Sequence, residues 1–308
     1  MTLLMPHIAS RMFNTPLLID AGKAVAILTG LGGRVVEGGV EFGGIVPVEH
    51  IAKSEGMGKS ESLGTLGDRL GRAYEQAGAG NRIFDRIGPV AIVPVEGTLV
   101  HKGAFLGQSS GEMSMQGVQT KIQAIKRDPS VRGAVFEYDT FGGEAAGAFD
   151  TAQMMFELSQ MMPTLAILND FAYSAGYLMA SAQRQIVIPH MGGTGSIGAM
   201  TMHVDHSAKL EKSGSKVTII GSGKHKGAGH SFGPLPEDVR AKMQDRVDRM
   251  RDHFAETVAH FRGPRLTKAA ALATEADAYT GEDAVRAGLA DAVARPSEAF
   301  DQFVSLIR

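Results

Sequence analysis

Short apolar runs alternate with amphipathic stretches from residue 89 onward. VAIVPV (90–95), GAVFEY (133–138), TLAILN (164–169) and QIVIP (185–189) are rich in Val, Ile and Leu and bounded by Gly, Pro or polar residues. That pattern predicts strands buried on both faces. The intervening stretches 114–127, 144–161 and 174–183 predict helices, the first ending just before Pro129. Further on, SIGAMTMHV (196–204) reads as an extended segment, 206–213 as a helix and KVTII (216–220) as a strand. Strands alternating with helices at this spacing predict βαβ units, an α/β fold class and a mainly parallel sheet. A long helix follows at 236–262. Its apolar positions Val239, Met243, Val247, Met250, Phe254, Val258 and Phe261 step by 3 or 4, a narrow stripe on one face. The stripe reads as core packing, with a subunit contact as the alternative. GEDAVRAGLADAV (281–293) predicts a short helix, a glycine C-cap and a final strand.

Residues 1–88 are patterned differently. A short apolar stretch at 24–31 sits among Gly pairs, and residues 56–82 are rich in Gly, Ser and charge. We read 1–88 as a loosely structured N-terminal arm and linker, with one short helix near 66–75, ahead of a domain at 89–308.

Composition narrows the function. The 308 residues are 44% hydrophobic and 21% charged, enough apolar surface for a real core. The formal net charge of −2 gives no electrostatic reason to expect nucleic acid or an anionic membrane as partner. With no Cys, disulfides, thiolate metal sites and Cys nucleophiles are excluded. Gly is abundant, 39 of 308 against a usual share of about 7%, so tight turns and close backbone approaches are expected. The N-terminus lacks a secretory pattern, and no run approaches the ~18 apolar residues of a membrane span. The expectation is a cytoplasmic chain.

Three glycine-containing loops follow three of the strands, where sites in α/β sheets gather. DTFGGEAAG (139–147) places two glycines at a strand-to-helix turn, leaving backbone N–H groups open to an oxyanion or a phosphate. It carries neither a P-loop nor a dinucleotide fingerprint. NDFAYSAGYLMASAQ (169–183) puts Ser174 where a strand passes into a helix, with the Ala175 N–H beside its hydroxyl. Read alone, it is more readily an N-cap serine. TGSIGAM (194–200) is a tight turn carrying Ser196. A nucleophilic Ser needs a base. None of the histidines considered (His190, His203, His206, His225, His230) sits in a triad context, whereas GSGKHKGAG (221–229) holds Lys224 and Lys226 in a Gly-rich loop. Burial lowers a lysine pKa by several units and turns it into a usable base.

Taken in order, VAIVPVEGTLV, DTFGGE, YSAGYLMASA, TGSIG and SGKHK resemble the protease IV / signal peptide peptidase A class of Ser–Lys serine peptidases over about residues 88–293. Within that class the chain is most similar to phage capsid-assembly (head-maturation) proteases of the lambdoid protein C type, through FNTPLLID near the N-terminus and GKHKGAGHSFGPLPEDVRAKMQ after the lysines. The resemblance implies a ClpP/crotonase-like ββα superhelix associating into a homo-oligomeric ring. It implies Ser174 as nucleophile and Lys226 as general base, four residues after Ser222 in S-G-x-x-K, with Lys224 at a variable position. Ser196 would orient the amine, and the Gly143 and Ala175 N–H groups would form the oxyanion hole, with Gly142 as neighbour. Phe141 stands where the family commonly has Pro, and Phe leaves φ unfixed. No cofactor or metal is implied. The implied substrate is scaffold or capsid protein, cut in the host cytoplasm or inside the prohead. The chain ends soon after the peptidase motifs, so no fused scaffold segment is expected. In single-domain members of the class the Ser and Lys can come from neighbouring subunits. Three other readings compete: a host-type cytoplasmic signal-peptide-degrading peptidase, a crotonase-like acyl-CoA enzyme, and a non-catalytic capsid-associated protein.

Overall fold

The apolar runs pair into a twisted sheet whose two faces are covered by the amphipathic helices. The computed structural model describes residues 16–19, 83–102, 108–109 and 111–307. The strands are β1 (Leu17–Ile19), β2 (Asp85–Ile87), β3 (Val90–Glu96), β4 (Thr98–Val100), β5 (Gln108–Ser109), β6 (Glu112–Ser114), β7 (Gly133–Thr140), β8 (Gly142–Glu144), β9 (Thr164–Tyr173), β10 (Gln185–Ile188), β11 (Gly193–Gly195), β12 (Ala278–Thr280) and β13 (Ala292–Val293). The helices are α1 (Met115–Arg127), α2 (Ala148–Met161), α3 (Ala175–Ala180), α4 (Ser207–Lys212), α5 (Glu237–Arg262), α6 (Lys268–Ala273), α7 (Gly281–Arg286) and α8 (Pro296–Ile307).

The main sheet runs β12-β11-β9-β7-β3-β2, with β10 pairing β9 and β13. β3, β7, β9, β10 and β11 pair in parallel, and the edge strands β2 and β12 are antiparallel. The expected α/β class with a mainly parallel sheet is what forms. Ala91, Val93, Ala134, Phe136, Ala166 and Leu168 point to one face, under α1, α2, α3 and α5. Val90, Ile92, Val135, Leu165 and Ile167 point to the other, under Phe300, Phe303 and Val304 of α8. Burial on both faces is why these strands read as continuous apolar runs.

A second sheet, β1-β8-β4-β6-β5, stands at the carboxyl ends of β3 and β7. Two chain segments step from the first sheet to the second. β3 becomes β4 across Gly97 (φ 78°), and β7 becomes β8 through Phe141 and Gly142 (φ 92°). Both glycines occupy the left-handed region that a side chain rarely adopts.

Several boundaries differ from the sequence expectation. α2 begins at Ala148 rather than 144, because Gly142–Glu144 is claimed by the second sheet. β9 extends to Tyr173 and α3 shrinks to six residues. The expected extended segment 196–204 forms only isolated bridges, one of them Met200 to Leu17. KVTII is not a strand: 216–220 has no ladder partner among the described residues, and Val217, Ile219 and Ile220 are 43%, 44% and 96% exposed. A strand is stable only with a neighbour. α8 was legible in the spacing of Ala299, Phe300, Phe303, Val304 and Ile307 and was not read from it. The expected helix near 66–75 and the apolar stretch 24–31 lie outside the described residues.

Candidate active site

The site forms where β9, β11 and β8 end together. Ser174 is the hinge between β9 and α3, with φ 53° and ψ −117°. This is the backbone of the first central residue of a type II′ turn, a position normally given to Gly. A non-Gly residue held there costs on the order of 1–3 kcal/mol, and such strain collects at functional sites. Its N–H donates to the Gly195 carbonyl at 2.9 Å and its carbonyl accepts from the Leu178 N–H at 2.9 Å. The side chain does not cap α3. Ser174 is fully buried, and its Oγ has no hydrogen-bond partner among the described residues. A buried hydroxyl without a partner is rare. Ala175 opens α3, so its N–H is one of those left without an intrahelical acceptor. Gly176 is small of necessity: a β-carbon there would stand 2.4 Å from Thr140 Cγ2.

Gly142 and Gly143 lie beside this hinge. A β-carbon on Gly142 would come within 3.1 Å of Ser174 Cβ and 2.2 Å of the Leu18 carbonyl oxygen, and φ is +92°, so glycine is the residue that fits where β8 approaches the nucleophile candidate. The Gly142 N–H donates to Thr140 Oγ1 at 3.1 Å. Gly143 is flanked on both sides, by Leu18 of β1 and Leu99 of β4, and a β-carbon on it would sit 1.9 Å from the Leu99 carbonyl oxygen.

Ser196 is adjacent by register. β9 and β11 pair Tyr173 with Gly195, so Ser174 and Ser196 are the next residues of two neighbouring strands. Ser196 is half-buried, has φ 54°, and donates its N–H to the Asp277 carbonyl at 2.9 Å. The four described non-glycine residues with positive φ are Ser174, Ser196, Glu275 and Ala276. They form one connected patch, because Ala276 Cβ abuts Gly198.

Phe141 has a role that its departure from Pro did not reveal. Its ring packs 5.0 Å from Phe171 and 5.7 Å from Tyr173, and those two stack at 5.4 Å. The Tyr173 hydroxyl fills the space over Gly193 that a side chain would need. Aromatic packing thus braces both the Gly-Gly turn and the residue before Ser174. Thr140 and Phe171 were not singled out from sequence; period-two spacing from Tyr173 was the available signal for Phe171.

Lys226 is not brought to Ser174 within one chain. It lies exposed in the 221–229 loop, its stem against Gly221 and its N–H on the Gly223 carbonyl at 3.0 Å. Lys224 is equally exposed. Between them His225 turns away toward Lys242, whose Nζ is 2.7 Å from Nε2.

Residues 157–306 match the family model described as peptidase family S49. This stretch is similar to a peptidase S49 domain. The S49 span opens within α2 and closes within α8, so it holds Ser174, Ser196 and Lys226, while Gly142 and Gly143 precede it. The chain is 35% identical over 302 residues to capsid assembly protease C of Escherichia phage lambda, covering 96% of this chain and 64% of that protein. It is 35% identical over 295 residues to head-tail preconnector protein GP5 of Enterobacteria phage P21, covering 95% and 56%. The chain therefore spans less than two thirds of either relative's length. A solved membrane-bound stomatin-specific protease with a bound substrate peptide aligns at TM-score 0.41 and 16% identity, over 68% of this chain and 76% of that one. Among the described residues no helix is long and apolar enough to cross a membrane.

Proposed function

We propose that the protein is a serine endopeptidase with Ser174 as nucleophile and Lys226 as general base, cutting scaffold or capsid protein during phage head assembly. The observation that carries this reading is the Ser174 hinge: a strained, partnerless hydroxyl at a strand-to-helix turn, flanked by a helix-opening N–H and a Gly-Gly strand. Neutral Lys226 takes the hydroxyl proton as Oγ attacks the peptide carbonyl. The Ala175 N–H, with Gly143 beside it, receives the oxyanion. The protonated amine then passes its proton to the leaving amine, and water releases the acyl group from Ser174. Ser196, on the neighbouring strand end, orients the lysine amine.

The position of Lys226 supports a dyad completed between chains. Its loop is exposed, and the apolar 216–220 segment leading into it has no strand partner among the described residues. A ring of copies would cover that segment and carry each Lys226 to a neighbour's Ser174. The capsid setting draws on the names of the two phage relatives, and the proposed place of action is the host cytoplasm or the prohead. The test is incubation with candidate scaffold and capsid proteins, wild type beside Ser174→Ala. Wild-type cleavage that Ser174→Ala retains would refute the nucleophile. Mixing inactive Ser174→Ala with inactive Lys226→Ala chains should restore part of the activity; no recovery would refute the shared dyad.

A further inference from the structure

A segment of the chain's own N-terminal region lies over the candidate nucleophile. β1 runs antiparallel to β8, with Leu18 opposite Gly143 and Ile19 opposite Gly142. Along its other edge Leu17 exchanges two backbone hydrogen bonds with Met200, at 2.8 and 3.0 Å. β1 therefore fills a slot between the Gly-Gly strand and the segment that follows Ser196. The Leu18 carbonyl oxygen points at Gly142: a β-carbon there would lie 2.2 Å from that oxygen and 3.1 Å from Ser174 Cβ. An extended peptide carbonyl thus sits beside the Ser174 side chain on the strand expected to supply the oxyanion contact. The strand's side chains alternate. Leu18 enters the main core, while Leu17 and Ile19 pack with Met200 and Met202. All three are buried, and so is Ser174 beside Gly142.

We propose that Leu17–Ile19 occupies the substrate groove as an intramolecular pseudosubstrate. The groove then takes an extended peptide by strand addition to β8, the peptide's large aliphatic side chains replacing those of Leu17, Leu18 and Ile19. Strand addition follows from the geometry, since removing β1 leaves the β8 edge unpaired. Substrate and β1 exclude one another, and the scissile carbonyl takes the place of the Leu18 carbonyl. This rests on the serine-peptidase reading above.

The test uses the full chain carrying Ser174→Ala and the peptide NTPLLIDAG, which copies residues 14–22. Hydrogen exchange is followed at residues 17–19 with excess peptide, beside a control peptide bearing Asp at both leucines. Exchange there should rise at least tenfold with the aliphatic peptide and stay unchanged with the control. No rise at millimolar peptide, or an equal rise with both, overturns the proposal. In the Ser174 enzyme, Leu18→Ala should lower KM for a cleaved peptide severalfold at unchanged kcat, as expected when an internal competitor weakens. An unchanged KM in a folded Leu18→Ala variant also overturns it. If that variant does not fold, the exchange experiment decides alone. The two readings fail differently. Absence of hydrolysis with peptide-induced exchange intact refutes the peptidase, whereas hydrolysis with exchange and KM unmoved refutes the pseudosubstrate.

Discussion

Ser174 couples stability to chemistry at a single residue. Its backbone is strained and its hydroxyl buried without a partner, so both features cost stability and neither serves the fold. Ser174→Ala should abolish proteolysis while leaving the assembly intact, measured by substrate cleavage beside light scattering. Ser174→Gly should be inactive as well, yet more stable by about 1 kcal/mol, because Gly adopts this backbone without strain and the orphan hydroxyl is gone. A melting temperature at or below wild type would contradict that. Gly143→Ala should instead destabilise by about 2 kcal/mol or more, since its β-carbon meets backbone that cannot yield. Of the two loop lysines, Lys226→Ala should cost orders of magnitude in rate, and Lys226→Arg should not restore it, because a guanidinium stays protonated. Lys224→Ala should change stability by no more than about 0.5 kcal/mol and leave turnover near wild type. The reverse outcome would mean that Lys224 is the base.

At the scale of elements, the C-terminal end of α5 is tied to the sheet by a buried ion pair. Arg262, with no exposed side-chain surface, makes two hydrogen bonds of 2.9 Å to Asp291 and also reaches the Gly288 carbonyl. Asp291 in turn accepts from the Ile186 N–H of β10 at 2.7 Å. Burial pushes the Asp291 carboxyl up, but hydrogen bonds and charge from Arg262, with Ile186 and Arg265, together hold it below the ordinary carboxylate range. A carboxylate lowered on folding stabilises at pH above its unfolded value of about 3.9 and loses that contribution as pH falls through the lower, folded value. Thermal stability should therefore fall below about pH 4, and Asp291→Asn should flatten that part of the profile. Asp291→Ala leaves a buried guanidinium unpaired and should cost about 3–5 kcal/mol, read by denaturant unfolding.

At the scale of the whole molecule, the described residues leave several large apolar side chains exposed. Val217, Ile219, Ile220 and Phe232 are 43%, 44%, 96% and 45% exposed, and all lie just before or just after the Lys226 loop. A cluster of exposed apolar residues near one loop in sequence is what a contact with another chain would cover. The protein should sediment as a closed ring at micromolar concentration and neutral pH. Ile220→Asp should shift it toward smaller species and lower peptidase activity in parallel. A monomer that is fully active would contradict the shared-dyad reading.

Much of this architecture was legible along the chain. The strands at 90–96, 133–140, 164–173 and 185–188 were readable because a parallel sheet covered on both faces demands unbroken apolar runs, and the helices between them because each buries one face. Ser174, Ser196 and the Gly-Gly pair stood out because turns at strand ends restrict residue type. Their meeting was not legible. It depends on the Tyr173–Gly195 register and on the step of β7 into a second sheet, pairings between residues distant in sequence that no local pattern encodes. The fate of KVTII shows the converse: its β-propensity is genuine, but a strand exists only where another strand pairs with it, and among the described residues none pairs with 216–220. The cover over Ser174 was likewise decided in three dimensions. Leu17, Leu18 and Ile19 are an ordinary apolar triplet in sequence, and only the antiparallel pairing with β8 lays them across the site.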